Sequence, residues 1–188
     1  KSHLYHKDDN TPVIALLGQP NSGKSTIFNM MTGSHQHVGN WPGKTVDQKE
    51  GEFKYKDKKM IVADLPGSYS LSANSDEEII TKDYITSGNA DLVLVMADAS
   101  QLKRSLYMLA DYIGTKVPAV LVLNMMDVAK GQGVTIRTGE LSKKLGILVV
   151  PMSAIQKKDY ANLYETIAKS LEDGPVIQKD ALSDAKEK

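Results

Sequence analysis

Short apolar runs alternate along this chain with longer segments that have the periodicity of amphipathic helices. Each run has the length of a strand, and the runs are Val13 to Leu17, Lys59 to Ala63, Asp91 to Ala97, Val117 to Leu123 and Ile147 to Val150. The predicted helices cover residues 24–32, 76–87, 101–114, 138–145 and 160–171. This alternation predicts an α/β fold in which helices cover both faces of a mostly parallel sheet.

A further strand is predicted where aromatic and charged residues alternate. Asp47 to Tyr55 carries Phe53 and Tyr55 at alternate positions and is followed by Lys56-Asp57-Lys58. This pattern indicates an edge strand that is joined by a hairpin to the next strand. We therefore expect a three-layer fold with a six-stranded sheet, one antiparallel edge strand and about five helices.

The composition narrows the class of protein. The chain has 188 residues, enough for about one domain with its own core. Its 23 basic residues balance its 23 acidic residues, so no overall field favours nucleic acid or an anionic membrane surface. The absence of cysteine excludes disulfides and thiolate metal clusters within the chain and fits a reducing cytosol. Since its apolar runs are too short to cross a bilayer, we expect a soluble segment that neither enters a membrane nor binds nucleic acid.

The most specific motif is a glycine-rich loop between the first strand and the first helix. The glycines let backbone N–H groups face a polyphosphate, and the helix that begins there adds its positive dipole end. Lys24 supplies a charge to the outer phosphates, and the Ser25 hydroxyl is a candidate Mg²⁺ ligand. The predicted phosphate site consists of the G-x-x-x-x-G-K-S loop and the next residue, namely Gly18, Gln19, Pro20, Asn21, Ser22, Gly23, Lys24, Ser25 and Thr26.

Two further segments are placed to complete a site for phosphate and magnesium. Asp64 and Gly67 form an Asp-x-x-Gly turn after a strand. There Asp64 can hold a magnesium-bound water, and the Gly67 N–H can contact a γ-phosphate. Residues 33–44 have no regular period, and we expect a mobile loop there. Thr45 follows this loop and is the candidate second Mg²⁺ ligand.

A third motif is a candidate for recognising the base of a nucleotide. Asn124-Met125-Met126-Asp127 follows the apolar run that ends at Leu123. Asp127 can accept hydrogen bonds from the ring N–H and the exocyclic amine of guanine, a pair of donors that adenine lacks. Met125 stands where such motifs usually have lysine, and its aliphatic chain can cover one face of the base. Ser153 and Ala154 follow the last strand and offer backbone N–H groups to the guanine carbonyl. The sequence therefore predicts a site for GTP and GDP.

The chain resembles the cytosolic G domain of the FeoB ferrous-iron transporters in four motifs. These are the phosphate loop, Gly39-Asn40-Trp41-Pro42-Gly43-Lys44-Thr45-Val46, Asp64-Leu65-Pro66-Gly67-Ser68-Tyr69-Ser70-Leu71 and Asn124-Met125-Met126-Asp127. The Gly-Asn-Trp-Pro-Gly stretch is the most discriminating of them. The resemblance extends from about Val13 to about Leu171 and implies a P-loop GTPase fold like that of Ras.

The resemblance also implies a function, GTP hydrolysis that gates or regulates Fe²⁺ uptake. Lys24 and Ser25 would contact phosphate and Mg²⁺, and Thr45 and Asp64 would complete the metal shell. The family is similar to potassium-activated GTPases, which implies that the Asn21 side chain and carbonyls between Gly39 and Trp41 hold a K⁺ beside the phosphates. Ser68 stands where many small GTPases have a water-orienting glutamine, so the resemblance implies slow intrinsic turnover.

The chain is expected to divide into three parts, the first because its residues are polar and irregular and the other two by the resemblance. We expect a disordered leader over residues 1–11, the GTP-binding G domain over residues 12–172, and a linker or the start of a helical domain over residues 173–188. Members of the family continue into helical and transmembrane domains. This segment would then be the cytoplasmic domain of an inner-membrane protein.

Three alternatives stay open from the sequence. One is an RNA- or ribosome-associated GTPase with the same phosphate loop, against which the neutral charge counts. Another is a binding module in which nucleotide only switches a surface for a partner helix. The last is an ATP-dependent enzyme, which Asn124 and Asp127 oppose.

Overall fold

The computed structural model describes residues 11–68, 74–112 and 115–174, which form a seven-stranded sheet with helices on both faces. The strands are β1 (Val13–Gly18), β2 (Gln36–Asn40), β3 (Asp47–Tyr55), β4 (Lys58–Asp64), β5 (Leu92–Asp98), β6 (Ala119–Asn124) and β7 (Val149–Pro151). The helices are α1 (Lys24–Thr32), α2 (Asp76–Thr86), α3 (Leu102–Tyr112), α4 (Met126–Gly131), α5 (Thr138–Leu145) and α6 (Tyr160–Asp173). The strand order is β2-β3-β4-β1-β5-β6-β7, and the five strands from β4 to β7 in that order are parallel. The predicted fold class is confirmed.

The sheet differs from the prediction at one edge. β3 pairs antiparallel with both β2 and β4, so it lies inside the sheet and β2 forms the edge. The sheet has seven strands, not the predicted six. The prediction of an irregular loop over residues 33–44 is wrong for Gln36–Asn40, which form β2. Every β2 residue is exposed or half-buried, so no apolar alternation marks this strand in the sequence. Backbone pairing holds it instead, from Gln36 opposite Gly51 to Asn40 opposite Asp47.

The central strands are buried on both faces because their residues alternate between two cores. All residues of β1 and β6 are buried. Val13, Ala15 and Leu17 belong to the core that α2, α3, α4 and α5 complete. Ile14 and Leu16 belong to the core that α1 and α6 complete. The two layers of helices hold the sheet so that the carboxyl ends of its parallel strands share one rim, the usual place for a ligand in such folds.

Most helix boundaries agree with the sequence pattern. α1 and α5 have the predicted bounds, and α2 and α6 differ from theirs by one or two residues at the C-terminal end. α3 begins one residue later than predicted, and residues 113 and 114 of that prediction lie outside the described part of the chain. α4 is an additional helix that begins after Met125, whose φ of 63° is left-handed. It has only six residues, too few to show a helical period. Residues 1–10 of the predicted leader and 175–188 of the predicted linker lie outside the described residues. None of the described helices is both long and apolar enough for a membrane crossing.

Candidate nucleotide-binding site

The phosphate loop turns tightly between β1 and α1, and its glycines make this turn possible. A Cβ atom on Gly18 would lie 2.7 Å from Ser22 Oγ and 2.8 Å from Met96 Cβ, so a larger residue does not fit. Gly23 has a φ of 96° and directly precedes α1. Asn21 is also left-handed, with a φ of 66°. The loop therefore folds back over the start of α1, where backbone N–H groups suit a phosphate.

The Lys24 side chain joins α1 to the end of β4. Its amine donates to Asp64 Oδ1 at 2.8 Å and to the Leu65 carbonyl at 2.7 Å. Both side chains of this ion pair are largely buried, with 10% and 9% exposed. The structure thus brings the phosphate-loop lysine and the Asp-x-x-Gly aspartate into direct contact, as their shared position at the rim predicts.

Two cavities meet at the predicted phosphate site, and both are lined by Lys24 and Gly67. The first has a volume of about 540 Å³, within the usual range for ligand pockets, and is lined by Gln19, Pro20, Asn21, Gly23, Lys24, Ser25, Thr26, Gly67 and Met125. The second has about 420 Å³ and is lined by Lys24, Thr45, Val46, Asp47, Lys49, Asp64, Leu65, Pro66, Gly67 and Glu77. A cavity of about 570 Å³ between the β3–β4 hairpin and α6 contains none of the predicted site residues.

The candidate magnesium ligands are distributed over these two cavities. Ser25 is exposed in the first turn of α1 and lines the first cavity. Thr45 is exposed and lines the second cavity together with Asp64. Lys24 and Gly67 line both cavities and so connect the Ser25 side of the site to the side with Thr45 and Asp64. All three candidate ligands carry oxygen donors, the atoms that Mg²⁺ prefers, so the residues fit this metal.

The candidate potassium ligands belong to two segments, the phosphate loop and residues 39–41. Asn21 lines the first cavity, whereas Gly39 lies in β2. Trp41 is 8% exposed and packs edge-on against Tyr84, with 5.6 Å between the ring centroids. Its carbonyl accepts a hydrogen bond from the Lys44 N–H at 2.9 Å. Binding of K⁺ by Asn21 and the Gly39–Trp41 carbonyls stays a prediction.

Asn124 is buried between the phosphate loop and the loop after β7. It is 4% exposed, and its amide nitrogen donates to the Ser22 carbonyl at 3.0 Å. Its amide oxygen accepts from the Ala154 N–H at 2.8 Å. A Cβ atom on Gly23 would lie 2.0 Å from the Asn124 amide nitrogen. Asn124 thus ties the phosphate loop to the loop after β7, and its contact with the base stays a prediction.

Asp127 lies in the first turn of α4, next to Ser153. The Ser153 hydroxyl donates to Asp127 Oδ1 at 3.0 Å and accepts from the Asp127 N–H at 3.3 Å. The Asp127 residue is exposed, and Met125, two residues earlier, lines the first cavity. The two ends of the predicted site, phosphate and base, are therefore on one rim of the sheet.

Asp159 and Tyr160 also belong to this region, although no sequence motif contains them. The Asp159 carboxylate accepts from the Ser153 N–H at 2.8 Å, and the Tyr160 hydroxyl donates to the Ala154 carbonyl at 2.7 Å. The signal for Asp159 was its position directly before the predicted helix over residues 160–171, where aspartate has a capping or anchoring role.

Ser68 points away from the cavities. It is 2% exposed, its hydroxyl donates to the Pro66 carbonyl at 3.1 Å, and it lies 3.3 Å from the Thr81 hydroxyl of α2. The Ser68 N–H donates to the Gly18 carbonyl at 3.0 Å. This side chain therefore anchors the Asp-x-x-Gly turn to α2. Residues 69–71 of the same motif lie outside the described part of the chain.

The family model for ferrous iron transport protein B matches residues 12–167, most of the chain. The chain belongs to the FeoB family. It is 46% identical over 143 residues to the Fe(2+) transporter FeoB of Escherichia coli K12, a match that covers 74% of this chain and 18% of that protein. The corresponding protein of Salmonella typhimurium LT2 is 47% identical over the same length and coverage. The chain therefore corresponds to the N-terminal GTPase domain of the family and spans 18% of the length of these relatives.

Solved structures of FeoB proteins have the same fold. The cytosolic domain of T. maritima FeoB in a GDP form superposes with a TM-score of 0.85 at 39% identity, covering 90% of this chain and 67% of that one. Its GMPPNP form has a TM-score of 0.85 at 39% identity, covering 89% and 67%. The separate G domain of T. maritima FeoB has a TM-score of 0.79 at 41% identity, and 99% of it is covered by 86% of this chain. The fold is therefore that of the FeoB P-loop G domain.

Proposed function

We propose that this chain binds GTP and GDP with Mg²⁺, hydrolyses GTP slowly, and changes conformation with the nucleotide to regulate Fe²⁺ uptake by a longer membrane protein. The observation that carries the proposal is the link made by Asn124 between the phosphate loop and the loop after β7. Because of this link, a phosphate site at Lys24 and a base site at Asp127 belong to one continuous surface. The T. maritima structures with GDP and GMPPNP support guanine nucleotide as the ligand.

The phosphates would bind at the start of α1. Backbone N–H groups of the loop around Gly23 and the Lys24 amine provide positive charge there. Ser25 and Thr45 would ligate Mg²⁺ directly and Asp64 through water, and the bound ion would neutralise charge on the outer phosphates. Lys24 would have to exchange its bonds to Asp64 and Leu65, at least in part, for bonds to phosphate oxygens.

The base would bind against Met125 and Asp127. Asp127 Oδ1 already accepts from Ser153, which orients the carboxylate and leaves Oδ2 for donors on guanine. Met125 would cover one face of the base with its aliphatic chain. The N–H groups of Ser153 and Ala154 have protein acceptors, Asp159 and Asn124. A contact between the guanine carbonyl and the Ala154 N–H would therefore replace the bond to Asn124.

Slow hydrolysis follows from the side chains near the γ-phosphate position. Gly67 lies against the phosphate loop, since a Cβ atom there would come 3.1 Å from Pro20 Cγ, and its N–H can contact the γ-phosphate. The inward Ser68 hydroxyl would leave the attacking water without a side chain at this position. The Asn21 side chain, exposed at the first cavity, would hold K⁺, whose charge stabilises the transition state.

The role in iron uptake concerns the longer protein. The relatives named Fe(2+) transporter FeoB are much longer than this chain. The matched segment covers 18% of the length of the Escherichia coli K12 protein. The matched solved structures are cytosolic domains. We propose that this chain is likewise a cytosolic domain, followed in the parent protein by helical and transmembrane domains.

Multiple-turnover phosphate release tests the proposed activity. We expect release from GTP with Mg²⁺ but not from ATP, and a higher rate in K⁺ than in Na⁺. The Lys24→Ala variant should release no phosphate above background and serves as the control for contaminating enzymes. Tight GTP binding without any turnover would instead favour the binding-module alternative, and turnover of ATP at the same rate would reject guanine specificity.

A further inference from the structure

Two residues at the start of α6 hold the loop over residues 151–156, which we call the base loop. The Asp159 carboxylate accepts a hydrogen bond from the Ser153 N–H at 2.8 Å. The Tyr160 hydroxyl donates to the Ala154 carbonyl at 2.7 Å in a buried bond. Ser153 and Ala154 are themselves 6% and 5% exposed. The base loop is therefore fixed from the side of α6, away from the first cavity.

The Asp159 carboxylate bonds to the base loop and does not cap its own helix. Asp159 directly precedes α6, where an aspartate usually caps the helix by accepting from a backbone N–H of the first turn. Its side chain makes no such bond, and its φ of −80° and ψ of −14° are helical. The carboxylate is instead directed at Ser153.

Ser153 carries this restraint to Asp127. The Ser153 hydroxyl donates to Asp127 Oδ1 at 3.0 Å and accepts from the Asp127 N–H at 3.3 Å. Asp159, Ser153 and Asp127 thus form a continuous chain of hydrogen bonds from α6 to the carboxylate at the base site. A shift of Ser153 would change both the position and the orientation of that carboxylate.

Tyr160 is a rigid donor to the same loop. It is 4% exposed, and its ring packs against Tyr164 with 5.7 Å between the centroids. Burial, followed by the charges of Tyr164 and Asp159, raises the pKa of Tyr160 to about 12. The hydroxyl therefore keeps its proton at neutral pH and donates to the Ala154 carbonyl.

We propose that Asp159 and Tyr160 are positioning residues that determine how strongly guanine is preferred and how long the nucleotide stays bound, without touching it. The proposal rests on the proposed function, since it requires Asp127 to recognise guanine. Asp159 acts through Ser153 on Asp127, and it thereby affects the contact between Asp127 and the exocyclic amine of guanine. Tyr160 acts through Ala154 on the part of the base loop that faces the guanine carbonyl.

The test compares GDP with IDP, which lacks the exocyclic amine, in the whole 188-residue chain. Asp159→Ala should weaken GDP binding about tenfold, the effect of one charge-assisted hydrogen bond, and should weaken IDP binding clearly less. Asp159→Asn keeps an acceptor oxygen and should restore most of the GDP affinity. Dissociation of a fluorescent GDP should become faster by the same factor, with little change in association.

Matched variants separate positioning from general loosening. Tyr160→Phe removes only the hydroxyl and should speed GDP dissociation about threefold. Tyr164→Phe removes a hydroxyl from the same helix away from the base loop and should leave dissociation unchanged. Equal losses for GDP and IDP in Asp159→Ala, or unchanged GDP dissociation in both Asp159→Ala and Tyr160→Phe, would overturn the proposal. Failure of the wild-type chain to bind GDP would overturn the proposed function instead.

Discussion

The Lys24 amine lies 2.8 Å from Asp64 Oδ1, so residues assigned separately to phosphate and to magnesium form one ion pair. The pair is largely buried and connects the phosphate loop to the end of β4. Lys24 also donates to the Leu65 carbonyl at 2.7 Å. A ligand that attracts Lys24 therefore acts directly on the Asp-x-x-Gly turn.

Removal of the Lys24 amine should affect both binding and stability. Lys24→Ala should abolish measurable GTP binding and, by leaving Asp64 without its donor, lower the free energy of unfolding by about 1 to 3 kcal/mol. Urea unfolding and calorimetry measure the two effects. Lys44→Ala is the matched control, because Lys44 pairs with Asp76 at 3.1 Å in an exposed position. It should change stability by less than about 1 kcal/mol. Unchanged GTP affinity in Lys24→Ala would contradict the phosphate-site assignment.

Replacing one carboxylate oxygen of Asp127 with an amide nitrogen should change which base is preferred. Asp127→Asn keeps an oxygen that can accept from Ser153 and adds an amide donor, which suits the second carbonyl of xanthine. We expect GTP affinity to fall by about a hundredfold and XTP to become the preferred nucleotide. Competition between GTP and XTP for the variant measures the preference. If the variant still prefers GTP, another group recognises the base.

Potassium activation should depend on Asn21. We expect GTP hydrolysis to be about tenfold faster or more in K⁺ than in Na⁺, because a fixed cation stabilises charge that develops on the phosphates. Asn21→Ala should remove this difference and leave GDP affinity nearly unchanged. Rates in the two salts at equal ionic strength provide the measurement, and a wild-type rate that does not depend on the cation contradicts the assignment.

Trp41 should report nucleotide-dependent movement of the segment between β2 and β3. It is the only tryptophan of the chain, it is buried against Tyr84, and Thr45 follows four residues later. A non-hydrolysable GTP analogue with Mg²⁺ should change Trp41 emission relative to GDP, because drawing Thr45 to the metal moves the segment. Thr45→Ala should suppress the change and preserve GDP affinity. Identical spectra with both nucleotides bound would show that this segment is not a switch in this chain.

The sequence predicted those parts of the fold that have their own pattern. α1 and the buried strands β1 and β6 have strong apolar signals or a specific motif. β2 could not be predicted, because its side chains are exposed or half-buried and show no apolar alternation. α4 could not be predicted because its six residues, which follow a left-handed Met125, are too few to show a helical period.

The sequence indicated which residues belong to the site, but not the hydrogen bonds that join them. The motifs named Asn124 and Asp127, but the tether from Asn124 to Ser22 and Ala154 requires three distant segments to meet. Asp159 and Tyr160 had no motif because their contacts are with backbone atoms of the base loop. Backbone groups are the same in every residue, so such contacts leave little trace in a single sequence.

We propose that one rim of the sheet binds guanine nucleotide through Lys24 and Asp127. Calorimetric titration of GDP and of ADP into the wild-type chain with Mg²⁺ tests it most directly. The two ligands share the diphosphate and ribose, so they differ only in the base that Asp127 is proposed to recognise. We predict one site per chain and a preference for GDP of at least about a hundredfold. Equal affinity for GDP and ADP, or no binding of GDP, would contradict the claim.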